Sequence, residues 1–111
     1  MYYFKGKEFP CRSTLTMGII GGKWKTAILY NLMNKTLRYN ELRKIMSTTT
    51  ERTLSLQLKS LAEDGIIKRK VYYSKPPLKV EYSLTEFGRT LIPIIQLIAD
   101  WGVFANEKNP K

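Results

Sequence analysis

The side chains best suited to chemistry in this chain are cations and an amide on one predicted helix. If Leu54, Leu58 and Leu61 face inward, at spacings i, i+4 and i+7, the turn of ~100° per residue places a second set outward. That set comprises Arg52, Leu56, Lys59 and Ser60, and Thr53 and Gln57 flank it on one side. An α-helix fits the major groove of B-DNA, where arginine reads guanine, glutamine reads adenine and an apolar side chain contacts the thymine methyl. The pattern alone fits a solvated helix face with one exposed leucine equally well.

Three threonines precede this helix and can both cap it and bind phosphate. Thr48 with Glu51 spells a capping box, whereas Thr50 as N-cap places the start two residues later, and both starts remain open. Hydroxyls and free amides at a helix start also bind phosphate, which makes Thr49 and Thr50 candidate DNA contacts. Glu51 argues against a phosphate directly at this end, because its carboxylate competes for the same amides.

The absence of histidine and the single cysteine exclude most kinds of active site. No histidine means no His general base, no Cys–His or Ser–His pair and no His-containing metal site. One cysteine forms neither an internal disulfide nor a thiolate cluster. We therefore expect no enzymatic activity, no cofactor and no metal.

The charge of the chain points to a polyanionic partner. Its 111 residues include 19 Lys and Arg against nine Asp and Glu, a net charge of +10. This balance favours nucleic acid or an anionic membrane surface, and a basic surface kept for solubility is the alternative. The N-terminus MYYFKGKEF lacks the apolar core of a signal peptide, and the apolar segment 91–105 is too short to span a bilayer. We expect a soluble, cytoplasmic protein that does not bind membranes.

A basic β-hairpin is predicted over KVYYSKPPLKVEYSL, residues 70–84. Its Pro76-Pro77 turn is unlike the Asn-Gly of a tight two-residue turn and predicts a longer, stiff tip. Lysines on such a ribbon can reach the DNA backbone or minor groove, and they equally protect an edge strand from aggregation. The candidate DNA contacts on the hairpin and its flank are Arg38, Lys70, Lys75 and Lys79.

The last predicted helix, from Thr85 to about Phe104, is too apolar for a surface helix of a monomer. Only Arg89, Gln96 and Asp100 mark a polar strip, whereas a one-sided helix needs an apolar stripe of only about 100°. A membrane-surface helix would carry more Lys or Arg on its polar face. We therefore predict a homodimer interface made by Leu91, Ile94, Ile95, Leu97, Ile98, Trp101 and Phe104.

Cys11 is a candidate redox switch. Arg12 is adjacent and Lys5 and Lys7 lie upstream, near the start of a helix, and such surroundings stabilise a thiolate. An inert, buried cysteine is the alternative.

The predicted elements follow one another as helix, helix, helix, helix, hairpin, helix. Starts are expected at Ser13 or Thr14, at Lys23, at Asn40 as an N-cap and after the threonines, and Gly65 is expected to end the fourth helix. This order is the winged helix-turn-helix pattern, mainly α with a small β-wing (α+β). We expect an N-terminal arm (1–10), a winged helix-turn-helix domain with terminal dimerisation helices (11–102) and a C-terminal tail (103–111).

Several motifs together resemble one known family. They are IIGGKWKTAIL (19–29), LRYNELRK (37–44), LQLKSLAEDGII (56–67), PPLKVEYSLTEFGRTLIPII (76–95) and ADWG (99–102). In these residues the chain resembles the HxlR-type transcriptional regulators, winged helix-turn-helix proteins related to the MarR group. The family usually has a polar residue in place of Leu56 and often a proline in place of Glu51, so the base preference of a relative does not transfer to this chain.

The resemblance implies a prokaryotic transcriptional regulator that binds double-stranded DNA. It implies a homodimer formed by the terminal helices, with two recognition helices in successive major grooves ~34–36 Å apart on a palindromic operator. Several family members carry a cysteine at the position of Cys11 that senses quinones, aldehydes or disulfide stress, which implies a small electrophile or oxidant as a partner. A non-specific nucleoid-type protein and a winged-helix protein-interaction module remain the alternative functions.

Overall fold

The computed structural model describes residues 1–72, 79–109 and 111. In these residues the chain forms, in order, β1 (Tyr2–Phe4), β2 (Lys7–Phe9), α1 (Arg12–Ile20), α2 (Lys25–Leu32), β3 (Leu37–Arg38), α3 (Tyr39–Ile45), α4 (Glu51–Glu63), β4 (Ile67–Val71), β5 (Val80–Leu84), α5 (Glu86–Arg89) and α6 (Ile92–Lys108). The predicted α+β architecture with a small wing is confirmed. The described residues add a hairpin before α1 and a break in the last helix.

The N-terminal segment, predicted as an arm, contains a two-stranded hairpin. β1 and β2 pair antiparallel from Tyr2↔Phe9 to Phe4↔Lys7. The two turn residues, Lys5 and Gly6, both have positive φ, 49° and 79°. Positive φ at both central residues is the geometry of a type I′ turn, whose twist matches that of the strands. A lysine at the first of these positions hid the turn from the sequence prediction.

The first two helices begin close to their predicted starts. α1 begins at Arg12, one or two residues before the predicted starts. Cys11 is its N-cap, and the Thr14 hydroxyl accepts a hydrogen bond from the Cys11 N–H at 3.2 Å. Gly21 and Gly22 follow α1, and Gly22 has a φ of 97°, a conformation that disfavours other residues. α2 then begins at Lys25, two residues later than predicted.

The helix-turn-helix unit consists of α3, a short turn and α4. The prediction of Asn40 as the N-cap of α3 is wrong: Arg38 occupies that position. The physical reason is that the Glu41 carboxylate, three residues on, accepts a hydrogen bond from the Arg38 N–H at 2.8 Å. For α4 the structure selects Thr50 as the N-cap, since its hydroxyl accepts a hydrogen bond from the Thr53 N–H at 3.0 Å.

The wing is part of a three-stranded antiparallel sheet with the order β3-β5-β4. Its register runs from Ile67↔Leu84 to Val71↔Val80 and continues through a hydrogen bond from the Tyr72 N–H to the Lys79 carbonyl at 2.9 Å. Gly65 starts the connection from α4 with a φ of 75°, as predicted for a helix stop. The predicted wing tip, with Lys75 and Pro76-Pro77, lies outside the described residues.

The last helix, predicted as continuous, is divided into α5 and α6. Pro93 lies in the first turn of α6, where its missing N–H costs no helical hydrogen bond. A proline inside one continuous helix would remove such a bond and clash with the preceding turn, so the chain begins a new helix here. In the described residues no helix is long and apolar enough to cross a membrane.

The short helix α5 is fixed to the turn between α4 and β4. The Thr85 hydroxyl accepts a hydrogen bond from the Gly88 N–H at 2.9 Å and donates to the Gly65 and Ile66 carbonyls. Gly88 packs directly on the Ile66 carbonyl, where a Cβ atom would clash. The element that leads into α6 is therefore joined to the end of α4.

The main core lies between the helices and the inner face of the sheet. The predicted inward residues Leu54, Leu58 and Leu61 are fully buried, which confirms the orientation of α4. They belong to a cluster that also contains Ile28 of α2 and Leu42 of α3. Burial of these side chains holds α4 against the helices behind it and leaves its opposite face to solvent.

Candidate nucleic-acid interface

The outer face of α4 carries most of the predicted base-reading side chains at the surface. Arg52, Leu56 and Lys59 are exposed, and Thr53 and Gln57 are half-buried. Leu56 is 51% exposed, although an apolar side chain gains free energy from burial. A helix face with an arginine, an amide and an unburied leucine has the donors, acceptors and apolar contact that duplex base edges require.

Thr49 has to be removed from the predicted set of DNA contacts. Its side chain is buried, with 7% exposure, and its hydroxyl has no hydrogen-bond partner in the described part of the chain. A buried side chain cannot reach a phosphate, so Thr49 is a residue of the turn and not a DNA contact. The neighbouring Thr50 is exposed but uses its hydroxyl to cap α4.

Arg43 of α3 fixes the start of α4, a role that sequence analysis missed. Its Nη1 donates a hydrogen bond to the Thr49 carbonyl at 2.9 Å, and its Nε lies 3.9 Å from the Glu51 carboxylate. The guanidinium thus contacts the turn on both sides of the N-cap. The basic residue in LRYNELRK was visible, but its partners became apparent only once α3 and α4 had been packed together.

A basic groove separates α4 from the wing. It has a volume of about 770 Å³ and an apolar floor that includes Leu58, Val80 and Tyr82. Among the described residues, its lining includes one carboxylate, that of Glu63, and four cations: Arg38, Lys59, Arg69 and Lys79. The fold therefore brings three predicted contacts from β3, α4 and the base of the wing together, and adds Arg69. Closely spaced cations of this kind bind phosphate groups.

Two described lysines of the wing, Lys70 and Lys79, share one aromatic ring. The ammonium groups of Lys70 and Lys79 lie 4.7 and 4.6 Å from the centroid of the Tyr72 ring. Hydrogen bonding to Glu81, followed by burial, raises the pKa of the Tyr72 phenol, so the ring is neutral at physiological pH. The contacts orient both ammonium groups without removing their charge.

Cys11 is exposed and lies at the start of α1, as its N-cap. Its Sγ is 3.3 Å from the Ser13 hydroxyl and 3.5 Å from the Thr14 hydroxyl. Hydrogen bonding by Ser13 and then Thr14 lowers the pKa of the Cys11 thiol to about 7. At neutral pH more of this thiol is therefore the nucleophilic thiolate than in an ordinary cysteine.

The outer face of α6 is an exposed apolar surface. Leu97 and Trp101 are each 68% exposed, and with Ile94 and Ile98 they line a shallow depression of about 400 Å³. Phe104, further along the helix, is also exposed. These five side chains were predicted to lie in a dimer interface, and within one chain they are exposed to solvent, as that prediction requires.

Two other predicted interface residues, Leu91 and Ile95, pack against the core of their own chain. Ile95 is only 2% exposed and is part of the main core, so its assignment to the dimer interface is wrong. Leu91 is partly buried against the same core. A helix that is apolar on nearly all sides contains an inner stripe and an outer stripe, and its sequence does not distinguish them.

Comparisons with known proteins place the chain among regulators of one type. The model of the HxlR-like helix-turn-helix family matches residues 19–109. The HTH-type transcriptional regulator YdeP of Bacillus subtilis is 54% identical over 92 residues, covering 83% of this chain and 71% of YdeP. BH0655 of Halalkalibacterium halodurans, also an HTH-type transcriptional regulator, is 45% identical over 113 residues, covering 98% of both chains. The solved structure of the redox regulator HypR in its oxidized form has a TM-score of 0.79 and 46% identity, and the match covers 91% of this chain and 99% of that one.

Proposed function

Since the chain belongs to the HxlR-like helix-turn-helix family, whose members are transcriptional regulators and not enzymes, we propose that it binds a specific sequence in double-stranded DNA as a homodimer. The observation that carries this proposal is the juxtaposition of the exposed face of α4 with the basic groove beside it. Specific binding needs base contacts for discrimination and phosphate contacts for register, and the two surfaces supply one each.

On the proposed complex, α4 enters the major groove. Arg52 and Gln57 read base edges, and Leu56 contacts a thymine methyl. Arg38, Lys59, Lys70 and Lys79 contact the backbone beside the helix, where they release counterions from the phosphates. Lys75, in the wing tip outside the described residues, stays a predicted contact on the basis of its charge and position in the sequence.

The proposed homodimer accounts for the outer face of α6. Ile94, Leu97, Ile98, Trp101 and Phe104 would cover one another across a two-fold axis, which removes apolar surface from water. Such symmetry places two α4 helices on one face of the duplex, one helical turn apart, and predicts a palindromic operator.

The experiment that tests the function is selection of bound duplexes from a random DNA pool, followed by gel-shift competition with excess random DNA. A regulator enriches a two-fold symmetric sequence and keeps it against the competitor. Binding without enrichment would instead support the non-specific nucleoid-type protein. Loss of all DNA binding at modest salt would support a protein-interaction module, whose basic surface faces an acidic protein.

We also propose that Cys11 makes DNA binding responsive to oxidants or electrophiles. The proposal is supported by the exposure of Cys11, by its pKa of about 7, and by the similarity to HypR, which is described as a redox regulator. Diamide or a quinone should change operator binding of the wild-type chain and leave a Cys11→Ser variant unaffected. If the two proteins respond alike, Cys11 is not the sensor.

A further inference from the structure

Glu81 lies at the centre of the sheet surface that carries three of the proposed phosphate contacts. It belongs to the central strand β5, and the register places it opposite Arg38 of β3 on one side and Lys70 of β4 on the other. Residues paired directly across antiparallel strands have side chains on the same face of the sheet. One carboxylate is therefore flanked by two cations on neighbouring strands.

A third cation and an aromatic ring complete this cluster. The Lys79 Nζ lies 3.5 Å from the Glu81 Oε1. The same ammonium group and that of Lys70 lie over the Tyr72 ring, whose phenol is itself influenced by Glu81. Lys79 thus has two partners, the ring and the carboxylate, which restrict where its charge can lie, whereas Lys70 contacts the ring and lies opposite Glu81 in the register.

Burial distinguishes the carboxylate from the cations around it. The Glu81 side chain is only 18% exposed, compared with 31% for Lys79 and 75% for Glu51 at the start of α4. Glu81 is thus largely covered and does not present its carboxylate to a duplex.

We propose that Glu81 is a positioning residue that sets sequence specificity: it holds Lys79 by an ion pair, attracts Arg38 and Lys70 on the neighbouring strands, and lowers the positive charge offered to DNA of any sequence. A specific complex has one register, so cations held in place can match its phosphates. A non-specific complex depends only on the amount of positive charge and gains from freely moving lysines. Glu81 therefore weakens non-specific binding more than specific binding. This inference rests on the proposed DNA-binding function.

The test compares Glu81→Gln with the wild-type chain on two duplexes, the selected operator and a random sequence, over a range of salt concentrations. Glutamine keeps the size and the hydrogen-bonding oxygen but removes the charge. We expect the variant to bind random DNA about threefold tighter, the effect of one unit charge several ångströms from a phosphate in water. Each lysine freed for a phosphate should make the slope of log K against log salt steeper by about 0.9.

The quantity that decides the inference is the ratio of operator to random affinity. We expect this ratio to fall about threefold in Glu81→Gln, because in the operator complex the gain from the removed charge is offset by the lost position of Lys79. Glu81→Asp, which keeps the charge, should retain weak binding to random DNA. Glu107→Gln removes the same charge near the end of α6 and should leave the ratio unchanged. Thermal unfolding establishes that each variant is folded.

A Glu81→Gln protein that discriminates as well as the wild type overturns the inference, and so does a Glu107→Gln protein that loses discrimination equally. If Glu81→Gln does not fold, Glu81→Thr decides the matter. Threonine is neutral and suits a β-strand, and an unchanged ratio in this variant would again overturn the inference. A wild-type chain with no preferred duplex refutes the proposed function itself, and this outcome is seen before any variant is made.

Discussion

Arg52 and Lys59 are both exposed cations on α4, but they face different parts of a duplex in the proposed complex. Arg52→Ala should relax the preference for one base pair and cost about 1–3 kcal/mol at that position, because a paired hydrogen bond to guanine is lost. Gln57→Ala should do the same at another position. Binding to operators mutated one base pair at a time measures both effects.

Lys59→Ala is the matched control for Arg52→Ala. Lys59 lines the basic groove with Arg38 and Lys79, so its loss should weaken binding to all sequences and reduce the salt dependence. If Lys59→Ala alters base preference and Arg52→Ala does not, the orientation of α4 on DNA is different from the one proposed.

The Cys11 thiol should titrate near neutrality. Since its pKa is lowered to about 7, the thiolate is present above that pH, and the rate of alkylation by iodoacetamide should rise through pH 7 and level off above pH 8. An ordinary thiol, with a pKa of about 8.5, would still be gaining reactivity there. Mass spectrometry of the alkylated protein over pH 5–9 follows the reaction.

Ser13→Ala should move this midpoint to higher pH, because hydrogen bonding by Ser13 is the largest cause of the low pKa. Ser83→Ala, which removes a hydroxyl from β5, serves as the control and should leave the midpoint unchanged. A midpoint that stays near pH 7 in Ser13→Ala would contradict the assigned cause.

At the scale of elements, the start of α4 distinguishes Thr48 from Thr50, which the sequence left as equal candidates for the N-cap. Thr50→Ala should lower the free energy of unfolding by about 1 kcal/mol, because the Thr53 N–H loses its hydrogen-bond acceptor. Thr48→Ala is the matched control: Thr48 is exposed and precedes the N-cap, and the change should be close to neutral. Chemical denaturation measures both, and equal losses would contradict Thr50 as the N-cap.

Elements with strong local signals could be predicted from the sequence. The spacing of Leu54, Leu58 and Leu61 fixed the inner face of α4, and Gly65 marked its end. The N-terminal hairpin had no such signal, since its type I′ turn places Lys5 where Asn or Gly is usual. Pro93 did offer a signal for the break before α6, because proline is favoured in the first turn of a helix.

The site residues show why the remainder required tertiary structure. Thr49 and Thr50 are adjacent and chemically identical. Thr49 is buried and its carbonyl accepts a hydrogen bond from Arg43, whereas the Thr50 hydroxyl caps α4. Ile94 and Ile95 are likewise adjacent and identical, and only Ile95 packs in the core. Local patterns give the same weight to both members of each pair, and only the packing of neighbouring helices separates them.

At the scale of the whole molecule, the apolar face of α6 should control assembly. Leu97→Glu should shift the protein from dimer to monomer and raise the dimer dissociation constant at least about 30-fold, because an unpaired carboxylate in an apolar interface costs more than ~2 kcal/mol. Analytical ultracentrifugation over a range of protein concentrations measures the shift.

Gln96→Glu places the same charge on the polar strip of α6, beside Asp100, and should leave the dimer intact. A Leu97→Glu protein that remains dimeric would show that the subunits meet elsewhere. Palindromic DNA provides an independent check, since a monomeric Leu97→Glu protein would bind two half-sites no more tightly than one.

The attachment of α5 to the turn after α4 has a consequence for the genome in which the protein acts. Thr85 and Gly88 join the helix of the proposed dimer interface to the end of the recognition helix, so the distance between the two recognition helices is set by the protein. Adding one base pair between the half-sites turns one of them by about 34° and moves it by about 3.4 Å. Operators should therefore share an invariant spacer length even where the spacer sequence varies, and lengthening the selected operator by one base pair should abolish the advantage of the second half-site.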